Sequence, residues 1–436
     1  MIVKIFNTFE YIKYSQMRAP MKKWLIAFLL LQTHFAVAQS SINVMFYNIY
    51  RFPEKPPANR EFILKQILNE YQPDLFMVCE LISEEGADKI LTTSLQTPGN
   101  IYKRATFVPA AIDNTDPLQQ MVYYNKHKFT LLRQTYYPTQ VRDINHYTFV
   151  LNALDIANDS VYLDVFVTHL KSSEGAANAQ LRASMIDTFV TKLAALPPNR
   201  HVLLAGDFNF YSADENEPAY LKIINPTNPI VMVDPIDIPG NWHDNDTFKS
   251  VHTQATRLSA EGFGIGGATG GMDDRFDFIM MSENFKTNNK LYYEDNTYKA
   301  YGNNGNCFNN RIDAFDCDGE YSLDLRRNLY NMSDHTPVVM LLKTNKQFVS
   351  ISEKEKMPAM EIVGSNMVRD QLRLKVNRTL YNAPVLVYNS LGQPVAKTMA
   401  GNHNGAIRID VSHLPQGFYY LHIASEGGSV LKFIKQ

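Results

Sequence analysis

From Ser41 to about residue 345, apolar runs that end on polar or charged residues alternate with amphipathic stretches of helical period. Asn43-Val44-Met45-Phe46-Tyr47-Asn48 predicts a strand that stops on a carboxamide. After the proline-rich loop Pro53 to Pro57, Phe62, Ile63, Ile67 and Leu68 recur on one helix face, which predicts a helix over Arg60 to Tyr71. Asp74-Leu75-Phe76-Met77-Val78-Cys79 reads as a second strand, apolar on both faces and therefore buried, running straight into Glu80. Strand-like runs follow at Tyr102 to Val108, Gln120 to Tyr124, Phe129 to Thr135, Tyr147 to Asp155 and Val161 to Thr168, joined by polar turns that favour antiparallel pairing. The last of these leads into His169. An alanine-rich helix is expected from Gly175 to Leu196, stopped by Pro197-Pro198. His201 then opens a strand through Val202-Leu203-Leu204 into Ala205-Gly206-Asp207-Phe208-Asn209. Arg275 to Met280 is another strand, with Asp277 among aromatics, and the loop Ser333-Asp334-His335-Thr336-Pro337 precedes the strand Val338 to Leu342. The pattern is that of an α/β domain spanning residues 41–345.

Beyond it the pattern changes. Residues 346–360 are polar and linker-like, and residues 361–436 show short alternating strands with turn punctuation, among them Ala383 to Tyr388, Ile407 to Val411 and Gly417 to Ile423. That predicts a small all-β sandwich without a cluster of titratable groups. A chain of 436 residues exceeds one typical domain, in keeping with this division. Lys plus Arg is 42 against 44 for Asp plus Glu, so the net charge of -2 supplies no bulk basic field, and a nucleic-acid partner would need a local patch or metals. Three cysteines rule out a scaffold built on disulfides; Cys79 reads as a small buried hydrophobe, whereas Cys307 and Cys317 flank a polar loop and can pair in an exported protein. Lys22-Lys23, the apolar run Trp24 to Leu31 and Ala36-Val37-Ala38 fit a signal peptide over residues 1–38, with Met21 an alternative start. No other stretch reaches ~18 apolar residues, so the mature chain is expected to be exported, monomeric and without a stable membrane span.

The candidate chemistry sits at strand ends. Asp207 and Asn209 lie two apart and point the same way, while Gly206 lets the backbone turn and a ligand approach closely. Singly, such residues also end strands, build turns or meet solvent. Their joint order is informative: Asn48, Glu80, His169, Asp207 with Asn209, Asp277, and Asp334 with His335 each fall at or near a predicted strand end, the layout of a site along one edge of a sheet framework. Glu80, Asp207 and Asp334 with carboxamides form a hard-oxygen set suited to Mg²⁺ or Mn²⁺, whereas zinc would want more His or Cys. Asp313, Asp316, Asp318 and Glu320 can hold Ca²⁺ as a structural ion, although their order does not fit an EF-hand and a solvated loop is the plainer reading. Gly262 to Gly271 contains G-x-G-x-G-G without a strand-loop-helix context and reads as a mobile loop beside a site.

In their order, Tyr47-Asn48, Cys79-Glu80, Thr168 to Ser172, Gly206 to Asn209, Arg275 to Ile279 and Ser333 to Pro337 resemble the endonuclease/exonuclease/phosphatase superfamily over roughly residues 41–345. The resemblance implies a four-layer α/β sandwich, two mixed sheets face to face with helices outside, and metal-assisted attack of water on a phosphorus ester. On that resemblance Glu80 is the principal Mg²⁺ ligand with Asn48 and Asp334 close to it. Asp207 orients or deprotonates the attacking water, Asn209 holds a phosphate oxygen, and His335, paired to Asp277, acts as base or stabilises the charged phosphorane. His169 binds a non-bridging oxygen or protonates the leaving group. Either histidine exchanges protons near neutral pH from an unperturbed pKa of ~6.5, and which of Asp207 and His335 takes the proton stays open. Apurinic endonucleases of that superfamily carry Tyr where His169 stands, which disfavours a repair role. Lys171 and Arg182 can offer positive charge to a phosphate backbone, or are solvated surface charges.

The tail also carries a resemblance: Val387 to Val395, Leu414 to Leu421 and the closing Lys432-Phe433-Ile434-Lys435 are similar to the type IX secretion C-terminal sorting domain. This implies the type IX machinery as a partner and release to the medium or attachment to the cell surface. The expected function is an exported Mg²⁺-dependent phosphodiesterase, foremost an extracellular nuclease acting on nucleic acid. The alternatives are a sphingomyelinase-like phospholipid phosphodiesterase or a phosphomonoesterase and, from another class, an inactive surface-binding protein.

Overall fold

A residue's parity along three neighbouring strands determines whether it faces the site or a helix. A computed structural model describes residues 40–97, 99–111, 117–260, 267–348, 360–380, 384–390, 393–399, 403–423 and 430–436. The expected signal peptide, residues 349–359 of the expected linker and residues 261–266 of the glycine-rich loop lie outside the described residues. One sheet holds β1 (Ser40–Phe52), β2 (Leu75–Leu81), β3 (Tyr102–Arg104), β4 (Gln119–Asn125), β11 (Leu291–Tyr293), β12 (Lys299–Ala300) and β13 (Val338–Thr344), in the order β11-β13-β1-β2-β4-β3 with β12 also on β13. The other holds β5 (Phe129–Tyr137), β6 (Ile144–Leu151), β7 (Tyr162–His169), β8 (His201–Asp207), β9 (Met232–Val233) and β10 (Asp277–Ser282), in the order β5-β6-β7-β8-β10-β9. The pairs β1-β2 and β7-β8 are parallel and their outer neighbours antiparallel, so both sheets are mixed. The expected antiparallel series from Tyr102 to Thr168 is correct in its pairings but divided: β4 and β5 are consecutive and belong to different sheets. The strand expected to reach Val108 stops at Arg104.

The two sheets share one core. In β7, β8 and β10, Val165, Val167, Leu203, Ala205, Ile279 and Met281 join residues of the first sheet such as Tyr47, Met77 and Val78. The alternate residues Phe166, Val202, Leu204, Phe278 and Met280 pack outward against Met185, Ile186 and Phe189 of the helix Ala176–Ala194. Because side chains alternate with period two, His169, Asp207 and Asp277 continue the inward series and aim between the sheets. Helices Arg60–Tyr71 and Leu323–Met332 contribute Leu64, Ile67, Leu325 and Leu329 to the same core. Cys307 and Cys317 are joined in a disulfide, and Cys79 is buried and free.

The C-terminal region is all-β. A three-stranded sheet (Met360–Ile362, Gln371–Leu380, His403–Asp410) and a five-stranded one share a core of Leu372, Leu374 and Ile409 against Val387, Leu421 and Phe433.

Gly206 pairs with Thr168 across β7 and β8 and leaves no room for a side chain: a β-carbon there would lie 2.2 Å from the Thr168 carbonyl oxygen and 2.8 Å from the Phe208 ring. Gly206→Ala is expected to destabilise the domain by about 1–3 kcal/mol through overpacking, read as a lowered urea midpoint; an unchanged midpoint refutes the close approach.

Candidate active site

Register brings the first three side chains together. His169, Asp207 and Asp277 are direct neighbours across β7, β8 and β10, paired His169 to Asp207 and Asp277 to Asp207. From the facing sheet, Asn48 on β1 lies beside Cys79 on β2, and Glu80 follows with a left-handed backbone at φ 60°. For a residue with a β-carbon this conformation is strained, and it turns the carboxylate back toward Asn48. The Arg51 N–H holds Glu80 Oε2 at 3.1 Å. Asn48 Nδ2 then donates to Glu80 Oε1 and Asp207 Oδ2, each at 3.0 Å, and lies 3.2 Å from His335 Nε2.

His335 Nδ1 lies 2.7 Å from Asp277 Oδ2, the partner expected for it. Asp207 Oδ2 is 3.6 Å from His335 Nε2 and 3.4 Å from His169 Nε2. Asn209, also in the left-handed region at φ 52°, donates from Nδ2 to Asp207 Oδ1 at 2.8 Å. Asp334 is seated by Ala268, whose N–H donates to Oδ2 at 2.7 Å, and the neighbouring Ser333 ties this loop to β1 by donating from Oγ to the Asn48 carbonyl at 2.6 Å. The described end of the glycine-rich loop thus touches the site at Gly267 and Ala268. Ligand atoms of Glu80, His169 and Asp207 lie within 4.8 Å of one another, as do those of Asp207, Asp277 and His335; Asp334 belongs to neither group.

Burial dominates the electrostatics. It raises Asp207 to about 7, with Asp277 and Glu80 adding to the rise and His335 opposing it. Burial and then Asp334 raise Glu80. Burial alone would depress His335, but the Asp277 and Asp207 carboxylates outweigh it and hold that imidazole well above its usual range. His169 has no such compensation: burial, then Arg142 and His335, push it well down, so it is neutral. Asp277 Oδ1 and His169 Nδ1 are buried without a hydrogen-bond partner among the described residues. Among the described residues no lysine or arginine pairs with the buried Asp207 and Asp277 or the half-buried Glu80, and with the orphan Asp277 Oδ1 these oxygens are a donor set that fits a hard divalent cation.

The two expected phosphate-binding cations differ from the rest. Lys171 is partly buried, and its ammonium donates to the Ser172 carbonyl at 2.7 Å. Arg182 is a correction: it is 1% exposed, grips Glu217 through Nε and Nη2 at 2.7–3.1 Å, and donates from Nη1 to the carbonyls of Lys171 and Ser173. A guanidinium so committed braces the turn after His169, and its charge is already paired with Glu217 rather than offered to a phosphate. Ca²⁺ in the 313–320 loop fares no better, since Asp313 is bound to Arg311 and Glu320 to Lys299.

Two side chains at the site carry no signal in the linear pattern. Arg142 donates to the Leu170 carbonyl at 2.9 Å, and its charge acts on both Glu80 and His169. Gln254 places its Nε2 2.5 Å from His335 Nε2. Both lie in polar connections, where nothing distinguishes them from solvated loop residues.

Residues 366–436 match the family described as secretion system C-terminal sorting domain. The chain therefore carries an address for type IX secretion to the cell surface or the extracellular space. No curated protein matches the chain. Among solved structures it is similar to the human Nocturnin catalytic domain with bound sulfate (15% identity, 69% of this chain and 94% of that one, TM-score 0.43). It is also similar to D. rerio TDP2 complexed with single-strand DNA product (17%, 70% and 100%, 0.44) and to an endonuclease/exonuclease/phosphatase family protein from Bacteroides thetaiotaomicron (14%, 70% and 98%, 0.43).

The raised carboxylates give a test of the cation site that needs no substrate. With folded pKa values above the unfolded ones, Glu80 and Asp207 bind protons more tightly in the folded chain; that stabilisation is present at low pH and lost as pH rises, for Asp207 through about 7. A divalent cation replaces those protons. Mg²⁺ is therefore expected to raise the melting temperature more at about pH 8 than at about pH 5 by scanning calorimetry; an equal or smaller shift at the higher pH refutes the site.

Proposed function

We propose that residues 41–345 form a divalent-metal-dependent phosphodiesterase that acts, as an exported protein, on nucleic acid. The observation that carries this reading is the meeting of Glu80 and Asp207 on Asn48, beside an imidazole held by Asp277. Glu80 would hold Mg²⁺ beside Asn48 and Asp207, with Asp334 outside that group of donors, and Mn²⁺ suits the same oxygens. A cation bound there neutralises charge developing on the phosphate and orients the leaving oxygen.

The chain's own groups do the rest. Asp277 fixes the His335 ring with Nε2 toward Asp207, and the imidazole, held protonated by those two carboxylates, would stabilise the negative charge that develops at phosphorus while the attacking water gives its proton to Asp207. Asp207, titrating near 7, exchanges protons at neutral pH. His169, neutral through burial, offers a hydrogen bond to a phosphate oxygen rather than a mobile proton, and Asn209 offers its amide. Arg142 and Lys171 supply the positive charge that draws in an anionic backbone.

Purified mature protein is expected to nick plasmid in Mg²⁺ and to stop on chelation. Turnover of sphingomyelin or of a phosphomonoester with plasmid left intact would replace the nuclease reading, and no turnover of any phosphoester would leave a binding role. Asp277→Asn is expected to lower kcat by about 10²–10⁴-fold with the fold retained by circular dichroism, because the ring loses the acceptor that orients it. Arg142→Ala is expected to raise KM about tenfold or more with a smaller change in kcat; the reverse split removes Arg142 from substrate binding.

A further inference from the structure

Past Asp207 and Asn209 the chain runs into Tyr211 and Ser212, which line a cavity of about 410 Å³ together with Glu174, Gln180, Arg182 and Asn241. It opens beside the turn that follows His169, the turn braced by Arg182. Tyr211 belongs to both places. It lies two residues past Asn209, and its ring packs edge-on at 5.1 Å against Phe276, the residue before Asp277. His243, itself held by Asp274 at 2.6 Å, packs edge-on against the same ring at 5.2 Å, and the Arg182 guanidinium lies 5.6 Å from its centre. The ring is thus a fixed plane between the cluster and the cavity.

The charge around that plane is negative. Arg182 is neutralised by Glu217, while Glu174, Asp214 and Glu215 line the cavity. Asp214 is occupied by Ser212 and the Asn216 N–H, whereas the Glu174 carboxylate has no hydrogen-bond or ion-pair partner among the described residues. A second phosphate would be repelled here. A flat uncharged ring would stack on Tyr211, and a carboxylate beside it accepts from an amino group on that ring, the pairing by which acidic side chains select cytosine-type edges.

We propose that this cavity receives the base of the nucleotide next to the scissile phosphate, stacked on Tyr211 and read by Glu174, and that it prefers bases bearing an exocyclic amino group over thymine. The proposal rests on the nuclease reading above and names which part of the substrate meets which residues. Tyr211 and Glu174 are specificity-determining residues on this account and take no part in proton transfer.

The test is steady-state kinetics of full-length mature protein on oligo(dC), oligo(dT) and bis(p-nitrophenyl) phosphate, which carries no base, with glycerophosphocholine as a cationic comparator. The wild type is expected to favour oligo(dC) over oligo(dT) about tenfold in kcat/KM. Glu174→Gln is expected to erase that preference and leave bis(p-nitrophenyl) phosphate turnover unchanged. Tyr211→Ala is expected to raise KM for both oligonucleotides about tenfold or more, and the exposed Glu174 keeps the test decisive if that variant folds poorly. Equal use of the two oligonucleotides by the wild type, or an undiminished preference in Glu174→Gln, overturns the proposal. So does a preference for glycerophosphocholine that Glu174→Gln abolishes, which would give the cavity to a cationic head group. Failure on every phosphodiester would instead sink the enzymatic reading itself.

Discussion

One carboxamide joins the two halves of the domain. Asn48 stands on the first sheet and Asp207 on the second, and the Asn48 Nδ2 hydrogen bonds to Glu80 and Asp207 tie carboxylates of both sheets to one nitrogen. Buried like charges repel strongly at low dielectric, so they stay close only where donors or cations lie between them. The site therefore lies at the seam where the inner faces of the sheets meet, and its chemistry depends on the packing that holds the sheets in register.

The Asp277–His335 pair crosses the same seam. Asp277 opens β10 in one sheet, and His335 precedes β13 in the other. Placing the carboxylate on the ring nitrogen fixes the orientation of the imidazole, and burial of both sharpens the effect. The contrast with His169 follows from the same physics: equally buried, but near Arg142 and with no comparably close carboxylate on Nδ1, it is driven neutral. Two histidines a few ångströms from one aspartate thus take opposite protonation behaviour because their second neighbours differ in charge.

Arg182 shows where reasoning along the chain fails. On a helix next to the His169 loop it looks like a solvated cation or a phosphate ligand, yet it is buried and spent on Glu217, 35 residues away. An arginine's role depends on what the fold sets against its five donors, and that partner is not visible from its own segment. The same holds, in the other direction, for Arg142 and Gln254, ordinary loop residues that long-range folding delivers to the centre. It also holds for β4 and β5, consecutive strands that a pattern of alternating runs cannot assign to separate sheets.

What the chain spells out locally is considerable. Period-two alternation puts Leu203, Ala205 and Asp207, or Asp277, Ile279 and Met281, on one face of their strand, and polar residues at the ends of those strands mark the edge that carries the chemistry. The helix from Ala176 to Ala194, the strands on either side of it and the β-rich tail follow from the same short-range rules. Distance and charge state came only with tertiary structure. A carboxylate's proton affinity is set by burial and by neighbours more than a hundred positions away, as Asn48 and His335 are from Asp207, and no local pattern encodes those separations.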